Sequence, residues 1–585
     1  MRRAHPVGWI LTALTLACHH PLPAESALTT APTFEQLSQD FLEEWLRRSP
    51  VAATYLGDHR YDGRWPDVSP EAEADELRWL RGVEAALTAL PRDGLDPEDR
   101  VDADILAQQV EGAIFGIEAL RGWERDPLSA VGTAGAGLDT LASREFAPAQ
   151  VRAESLRQRL EGLPAFLAQA EARLQSPPEL HTRTAMDQTA ALAAWVGGPL
   201  LASFPEEQRP ALAPAAQEAE QALREFATFL EADLLPRSTG DFRLGPDLWA
   251  RKLGYDLDTR LTAEQIRARA WALLEATRAD MVRDAIAIYP QLFPGEPLPA
   301  HGTEEQDTAL VRRVLDRLAE EHADDDTIIA QAQASLERAT RFVAEQGLVT
   351  LPDEPVQVIV MPEFKRGVAI AYCDAPGPLE TVRETSYAIA PPPADWPEAR
   401  RASFYREYNA AMLEELTIHE AMPGHFVQLA HAARFESPVR AMFSSGTFVE
   451  GWAIYTEWLM AQHGYGGPAV RLQREKMVLR LCINALIDHG IHAGGMTHDE
   501  ALALMTGLGF QEEGEAEGKW KRGCLTSAQL TTYLVGMLEV MALRRAAEAR
   551  DGAAFDERAF NDALLAHGSP PPRHLADLLG LQLAP

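Results

Sequence analysis

Cysteine is scarce in this chain, with 4 residues in 585. Cys18 lies near the N-terminus, while Cys373, Cys482 and Cys524 are widely separated. The last three allow at most one disulfide, which excludes a fold held together by disulfides. No two cysteines are spaced as a zinc-ligand pair, and no surrounding motif supports a cysteine nucleophile. Cys482 lies in an apolar stretch, which is typical of a small buried hydrophobe.

Basic residues are in the minority. The chain has 54 Lys and Arg against 87 Asp and Glu, which gives a formal net charge of −33. Nucleic-acid binding needs Lys and Arg surfaces that displace counterions from phosphates, so we expect no nucleic-acid partner. The same charge gives no attraction to anionic lipids and favours solubility.

Apolar runs long enough to cross a bilayer are also missing. Residues 7–17 are apolar, but they are too few to span the hydrocarbon core as a helix. Because this stretch follows Arg2 and Arg3, it predicts an export signal over residues 1–18. A polar linker is expected over residues 19–32.

The end of this signal is similar to a bacterial lipoprotein cleavage site. It reads Thr15-Leu16-Ala17-Cys18, with Thr15 where Leu is usual. Cys18 is therefore a candidate lipid anchor. Plain secretion and an ordinary cytosolic N-terminus are the alternatives. We expect an exported protein, either a cell-envelope lipoprotein or periplasmic.

Apolar residues recur at helical intervals through most of the chain, which predicts a large, mainly α protein with many helices. Residues 71–235 are rich in Ala, Leu, Glu and Arg, which predicts long antiparallel helices within an N-terminal region of residues 33–240. The segment 235–245 is rich in helix breakers and indicates a boundary. Residues 241–585 then form a second region. The sequence does not indicate an oligomeric state.

The residues that carry chemistry are concentrated in Ile418-His419-Glu420-Ala421-Met422-Pro423-Gly424-His425. A straight helix turns through about 600° between His419 and His425, which would splay the two imidazoles apart. Pro423 disfavours a continued helix, and Gly424 accepts unusual backbone dihedrals. We therefore predict a broken or bulged helix that folds His425 back toward His419.

A second carboxylate follows 25 residues later, at Glu450, in a helix that is apolar nearly all round. A buried carboxylate needs a partner, and a metal ion is one such partner. Two imidazoles and a carboxylate are ligands typical of Zn²⁺, so His419, His425 and Glu450 are the predicted ligands. Glu420 is the predicted general base. The alternative is a chance His-Glu pair, with Pro-Gly ending a helix before a surface histidine.

Several other polar residues are candidates for the same site. Glu457 lies on roughly the same helix face as Glu450, and it either supports a ligating histidine or pairs with an arginine. His492 is a candidate for lining the site. The polar loop of residues 57–62 either caps helices or reaches into a cleft.

Three short segments, residues 356–361, 368–372 and 386–390, predict a small sheet just before the histidine motif. In zinc peptidases such a sheet edge often runs along the cleft and pairs with the substrate backbone. The alternative is a packing hairpin that makes no substrate contact.

These motifs resemble the DUF885 family of bacterial proteins. The family pattern H-E-x-x-P-G-H followed by Gln is found at residues 419–425 with Gln428, and E-G-W-A-x-Y-x-E at residues 450–457. The similarity extends to the loop of residues 57–62 and to the segments 488–492 and 529–536, so it covers most of the chain. Members are similar to M3- and M32-type zinc peptidases, which implies a mainly α fold with a small β-sheet next to a deep active-site cleft.

The resemblance also implies a set of site residues. The metal ligands and the base would be His419, His425, Glu450 and Glu420. Arg522 and Tyr533 would meet the substrate or the oxyanion. The sequence departs from the family here, because Gly523 replaces a tyrosine and no Pro-Gly precedes Ala528-Gln529. Structural helix residues are the alternative reading of Arg522 and Tyr533.

We therefore expect a zinc-dependent metallopeptidase that hydrolyses short peptides outside the cytoplasm. Glu420 would move the proton, and Tyr533 with His492 would stabilise the oxyanion. The alternatives are a catalytically inactive metal-binding envelope protein and a metal hydrolase acting on non-peptide amides or esters. Manganese or cobalt could occupy the same ligands.

Overall fold

The protein is mainly α, as its helical periodicity predicts, and its computed structural model describes residues 33–361, 371–380, 384–393 and 396–583. The predicted export signal, Cys18 and the linker lie outside the described residues. Among the helices described, none combines the length and the apolar content that a bilayer span requires. The three described cysteines are free, and Cys482 is fully buried, as predicted.

Ten helices occupy the predicted N-terminal region. They are Phe34–Arg48 (α1), Pro50–Leu56 (α2), Pro70–Ala89 (α3), Pro97–Phe115 (α4), Gly122–Arg125 (α5), Leu128–Ser143 (α6), Ala149–Arg173 (α7), Glu179–Val196 (α8), Pro199–Ala202 (α9) and Arg209–Phe229 (α10). Helices α1 to α4 share one apolar core, and α6 to α10 share another. Each core is built from the apolar stripes that the helical periodicity predicts.

Four helices and a small sheet follow. The helices are Pro246–Leu257 (α11), Ala263–Leu292 (α12), Glu304–Leu318 (α13) and Ile328–Gln346 (α14), and the strands are Val356–Val360 (β1), Ala371–Asp374 (β2) and Thr385–Ile389 (β3). The strand order is β1-β3-β2, with β1 parallel and β2 antiparallel to β3. Within the described residues, β2 therefore lies at an edge of the sheet. Residues 368–370 of the predicted second strand lie outside the described residues.

Eleven further helices complete the described chain. They are Glu398–Glu407 (α15), Ala410–Glu420 (α16), His425–Ala432 (α17), Pro438–Met442 (α18), Gly446–Gln462 (α19), Gly467–His489 (α20), His498–Ala503 (α21), Glu513–Leu525 (α22), Thr532–Asp551 (α23), Glu557–Leu565 (α24) and Pro572–Leu578 (α25). The sequence predicts one helix over residues 403–421, whereas the structure ends α15 before Asn409. The Asn409 side chain accepts hydrogen bonds from the backbone N–H groups of Ala411 and Met412, and so it starts a new helix.

Helices α16, α17, α19 and α23 pack with the sheet around one apolar core. Helices α19 and α23 meet backbone to backbone, because a Cβ on Gly451 would lie 2.6 Å from the backbone of Gly536. The indole N–H of Trp452 donates to the carbonyl of Pro423 at 3.0 Å. This close packing places Glu450 next to the α16–α17 junction.

The N-terminal region is joined to the second region by a buried ion pair. Arg440 on α18 donates to Asp102 on α4 at 2.6 Å and to the carbonyl of Glu98 at 2.9 Å. Ser437 donates to the other oxygen of Asp102 at 2.7 Å. The boundary near residue 240 stays a prediction.

Candidate metal centre

The junction between α16 and α17 has the predicted helix break. Helix α16 ends at Glu420 and α17 begins at His425, with a cis peptide bond between Met422 and Pro423. The N–H of Gly424 donates to the carbonyl of Ile418 at 2.9 Å. A Cβ on Gly424 would lie 1.9 Å from the carbonyl oxygen of His419, so only glycine fits this turn.

The break brings three ligand-type side chains together. The ring centroids of His419 and His425 are 4.7 Å apart. Glu450 Oε2 lies 3.4 Å from His419 Nε2 and 3.7 Å from His425 Nε2. Across the part of the chain that the structure describes, this is the one group of three or more His, Cys, Asp or Glu side chains whose ligand atoms lie within 4.8 Å of one another.

The donor atoms of this cluster fit a divalent cation. Glu450 Oε2 is buried between the two imidazoles without a hydrogen-bond partner among the described residues. A buried carboxylate oxygen without a partner is costly, and a cation would satisfy it. Two nitrogens and one carboxylate oxygen are the donors that zinc accepts in hydrolases.

Glu457 fixes the orientation of His419. Its Oε1 lies 2.7 Å from His419 Nδ1, and its side chain is 3% exposed. The Nδ1–H therefore donates to Glu457 and leaves Nε2 unprotonated toward Glu450 in the neutral ring. Of the two roles considered for Glu457, the structure places it in the one that supports a histidine.

The protonation of the cluster is set by burial and by its own charges. Burial and the neighbouring His419 lower the pKa of His425 to about 4. Burial raises the pKa of Glu450, but the contact with His419 and the charges of His425, His419 and Arg522 together bring it below its usual value. A neutral imidazole and an ionised carboxylate are the forms that bind metal. Burial opposes the charged form of His419, whereas Glu450 and Glu457 hold its pKa well above the usual value. Metal binding at His419 therefore requires the loss of a proton.

Glu420 stands beside the cluster at the last position of α16. Burial raises its pKa to about 7, with the charge of His419 acting against this shift and that of Glu450 adding to it. A carboxylate with a pKa near 7 can take up and release a proton at neutral pH.

The edge of the small sheet borders this site. The backbone N–H of Cys373 on β2 donates to Glu420 Oε2 at 3.0 Å. Among the described residues no strand pairs with the other side of β2, and the Cys373 N–H on this side points to α16. An extended chain could add to this edge by backbone hydrogen bonds.

A cavity of about 250 Å³ opens on His419 of the cluster. His419 and Glu420 line it together with Arg522 and Tyr533. Arg522 Nη2 donates to the Tyr533 hydroxyl at 3.2 Å and to Gln529 Oε1 at 2.7 Å. The structure therefore brings these two residues to the site despite the departures of the surrounding sequence from the family pattern.

His492 lies elsewhere. It is 2% exposed, and its Nε2 lies 2.8 Å from the carbonyl of Gly523 and 2.7 Å from that of Thr526. It is not among the described residues that line the cavity. His492 satisfies carbonyls at the end of α22, which no sequence pattern could indicate.

The polar loop of residues 57–62 caps a short helix and contacts the segment after β2. Asp58 accepts from the N–H of Arg60 at 3.1 Å. His59 lies between Asp62 and Glu380, 3.1 Å from each.

Sequence reasoning missed part of the cavity wall. Glu415, Arg480, Asn484 and Lys519 line it as well. Arg480 and Asn484 are polar residues four apart in the largely buried helix α20, and this spacing is the signal that could have revealed them.

The chain is similar to proteins of unknown function. A family model described as a bacterial protein of unknown function (DUF885) matches residues 50–579. The solved structure of a candidate lipoprotein of unknown function from Shewanella oneidensis is 29% identical, covers 94% of this chain and 100% of its own, and has a TM-score of 0.80. A second candidate lipoprotein, from Colwellia psychrerythraea, is 19% identical, covers 93% of this chain and 98% of its own, and shares the fold with a TM-score of 0.73. No curated protein sequence matches the chain.

Proposed function

The chain belongs to the DUF885 family of bacterial proteins of unknown function, and we propose that it is a zinc-dependent metallopeptidase acting on short peptides. The observation that carries this proposal is that His419 and His425 both face the unpartnered Oε2 of Glu450. Glu420 lies beside these three residues. This donor set, with a free carboxylate nearby, is the arrangement found in zinc hydrolases.

Each residue of the site has a separate task. His419, His425 and Glu450 would hold the metal, and Glu457 keeps His419 oriented. Bound Zn²⁺ would polarise the scissile carbonyl and lower the pKa of water. Glu420 takes a proton from the attacking water and passes it to the leaving amine. Our proposal gives His492 no catalytic task because its Nε2 is engaged by two backbone carbonyls.

Arg522 and Tyr533 are the groups that would meet the substrate. Both line the cavity with Glu420, and the hydrogen bond between them aligns the phenol with the guanidinium. Hydrogen-bond donors at such a place can stabilise the charge that develops on the substrate oxygen.

We also propose that the protein acts in the cell envelope. The similar chain from Shewanella oneidensis is described as a candidate lipoprotein. The sequence Thr15-Leu16-Ala17-Cys18 is similar to a lipoprotein cleavage site, so Cys18 is the candidate anchor. Release into the periplasm after signal cleavage is the alternative, and fractionation after labelling with a fatty acid separates the two.

The test combines metal analysis with a peptide-cleavage screen. The wild-type protein should contain one zinc per chain and cleave short peptides. Glu420→Gln should retain zinc and lose about 100-fold or more in kcat, because its amide cannot accept the proton. Glu436→Gln, an exposed residue outside the cavity, is the matched control and should behave as wild type.

Two outcomes would contradict the proposal. Stoichiometric zinc without cleavage of any peptide would indicate the inactive metal-binding protein, or a hydrolase of other amides or esters. Full activity in Glu420→Gln would remove the assigned base.

A further inference from the structure

One wall of the cavity beside the metal centre is basic. Arg480, Lys519 and Arg522 line it together with His419 and Glu420. Three cations on one wall are unexpected in a chain whose net charge is −33. Their partners therefore decide whether the wall is neutral or free to bind an anion.

The carboxylates nearest to these cations are already paired. Glu515 forms a close ion pair with Arg480. Glu407, which also faces Arg480, accepts a hydrogen bond from Lys476 at 2.8 Å. Glu515 and Glu407 therefore neutralise Arg480 and Lys476, and Lys519 shares Glu515 only at a longer distance.

Lys519 is buried without a hydrogen-bond partner among the described residues. Its side chain is 8% exposed, and its nearest carboxylate, Glu515 Oε1, is 3.8 Å from Nζ. That distance is longer than a hydrogen bond. A buried ammonium without a hydrogen-bonded partner is costly, and a bound anion would offset the cost.

Arg522 hydrogen-bonds to no carboxylate among the described residues. Its hydrogen bonds go to the neutral side chains of Gln529 and Tyr533. No ion pair involves it within the part of the chain that the structure describes. A guanidinium that bonds only to neutral groups keeps N–H donors free for a carboxylate.

Among the described residues, four acids line the cavity. Glu515 pairs with Arg480, and Glu457 contacts His419. Glu420 belongs to the proposed metal site, which leaves Glu415. Glu415 is 2% exposed, and burial together with the charge of Glu457 holds its pKa well above the usual value. This environment therefore favours the neutral form of its carboxyl. Burial and the charges of Arg480 and Arg522 lower the pKa of Lys519, which a bound anion would reverse.

We propose that Lys519 and Arg522 form a carboxylate-binding pocket that holds a peptide substrate by a free carboxylate while the scissile bond lies at Glu420. This inference rests on the proposed peptidase function and adds its substrate class. The carboxylate can be the C-terminus of the peptide or an acidic side chain, since both present the same oxygens to the pocket.

Three matched peptides test the pocket on the zinc-loaded protein. The first ends in a free carboxylate, the second in an amide, and the third in an amide with Asp at the last position. Wild type should cleave the free acid about 10- to 100-fold better in kcat/KM than the plain amide, the size expected of a charge-assisted hydrogen bond. Recovery of cleavage by the Asp peptide would identify the side chain as a source of the carboxylate.

Lys519→Met should raise KM for the acid peptide with little change in kcat, because it removes binding shared by ground and transition states. Its cleavage of the amide should be unchanged. Lys521→Met is the matched control, since Lys521 is exposed on the same helix and does not line the cavity. Lys519→Gln serves as a second variant if Lys519→Met does not fold.

Equal cleavage of acid and amide by wild type would overturn the pocket. So would an equal loss for both peptides in Lys519→Met, which would indicate a structural residue.

Failure of the peptidase proposal leaves the pocket testable. If no peptide is cut, titration calorimetry with glutarate on the zinc-loaded protein replaces kinetics. Glutarate should bind wild type and Lys521→Met alike and bind Lys519→Met about 10-fold more weakly. Equal affinity for the three proteins, or no saturable binding, would overturn the pocket independently of catalysis.

Discussion

Glu457 influences the metal centre through a single contact. Its carboxylate meets His419 Nδ1 at 2.7 Å inside a nearly fully buried environment. This contact sets the tautomer and the direction of the imidazole, so the neutral ring presents Nε2 to the cluster. A residue that is not itself a metal ligand can therefore control metal affinity.

Glu457→Gln should weaken zinc binding about 10- to 100-fold, because the neutral amide no longer raises the basicity of His419. Competition with a chromophoric chelator measures the affinity. Glu436→Gln is the control and should match wild type. An unchanged affinity in Glu457→Gln would show that His419 is held by packing alone.

At the residue scale, the sequence predicts the metal-ligand residues better than the residues that line the cavity. His419, His425 and Glu450 are predicted as one cluster because their side chains have few uses in an apolar setting other than charge pairing or metal binding. Lys519 lies in a helical pattern that is equally consistent with a solvent-exposed helix face. Its burial depends on the tertiary packing around α22, which no local pattern contains.

At the scale of elements, the α16–α17 junction places the histidines. The turn between them is closed by the Gly424 N–H, which donates to the carbonyl of Ile418. Gly424 has no room for a side chain beside the carbonyl of His419. The motif therefore needs glycine for steric reasons at this position.

Gly424→Ala should lower the free energy of unfolding by about 1–3 kcal/mol and reduce zinc content, since relieving the clash must move His419 or His425. Chemical denaturation and elemental analysis measure the two effects. Gly82→Ala is the control, because Gly82 is exposed in α3 with nothing within 4 Å of its Cβ position. That variant should be as stable as wild type or gain about 0.5–1 kcal/mol. Wild-type zinc content and stability in Gly424→Ala would contradict this account of the junction.

Glu475 on α20 lies where this helix contacts α12, and its charge depends on pH. Burial and the neighbouring Asp284 raise the pKa of Glu475 to about 8. In the unfolded chain its pKa is about 4.3. The folded state therefore binds the extra proton between these values, and the stability it contributes is lost as the pH rises toward 8.

The free energy of unfolding should fall by up to about 1.4 kcal/mol per pH unit over this range because of Glu475. Glu475→Gln cannot titrate, so its stability should fall less than that of wild type between about pH 5 and 8. Urea midpoints at several pH values measure the difference. Parallel curves for the two proteins would show that Glu475 does not hold the extra proton.

At the scale of the whole molecule, a bound metal would join three helices. His419 belongs to α16, His425 to α17 and Glu450 to α19, and all three helices pack in one core with α23 and the sheet. Ligand binding to the folded state alone stabilises it by mass action.

Removal of zinc with a chelator should lower the stability of wild type, by about 4 kcal/mol if free zinc was present at 1,000 times its dissociation constant. Differential scanning calorimetry of chelated and zinc-restored protein measures the change. Glu450→Gln, which lacks one ligand, should respond to the chelator much less. Equal melting temperatures of wild type with and without zinc would argue against a site in this core.

The sequence by itself determined the helical character, the small sheet and the break between His419 and His425. These depend on local periodicity, β-branched segments and the dihedral limits of proline and glycine, all of which act within a few residues. Even so, Asn409 capped a new helix where the pattern continued, because a single side chain can satisfy the N–H groups of a helix start.

Only the tertiary structure decided which distant residues meet. Glu457 contacts His419. Lys519 and Arg522 line one cavity with Glu420, and His492 contacts the carbonyls at the end of α22. Each of these contacts joins helices far apart in the chain, and their directions are set by how the helices pack. The sequence thus determines which chemical group a residue carries, while the packing of the helices determines which group that residue contacts.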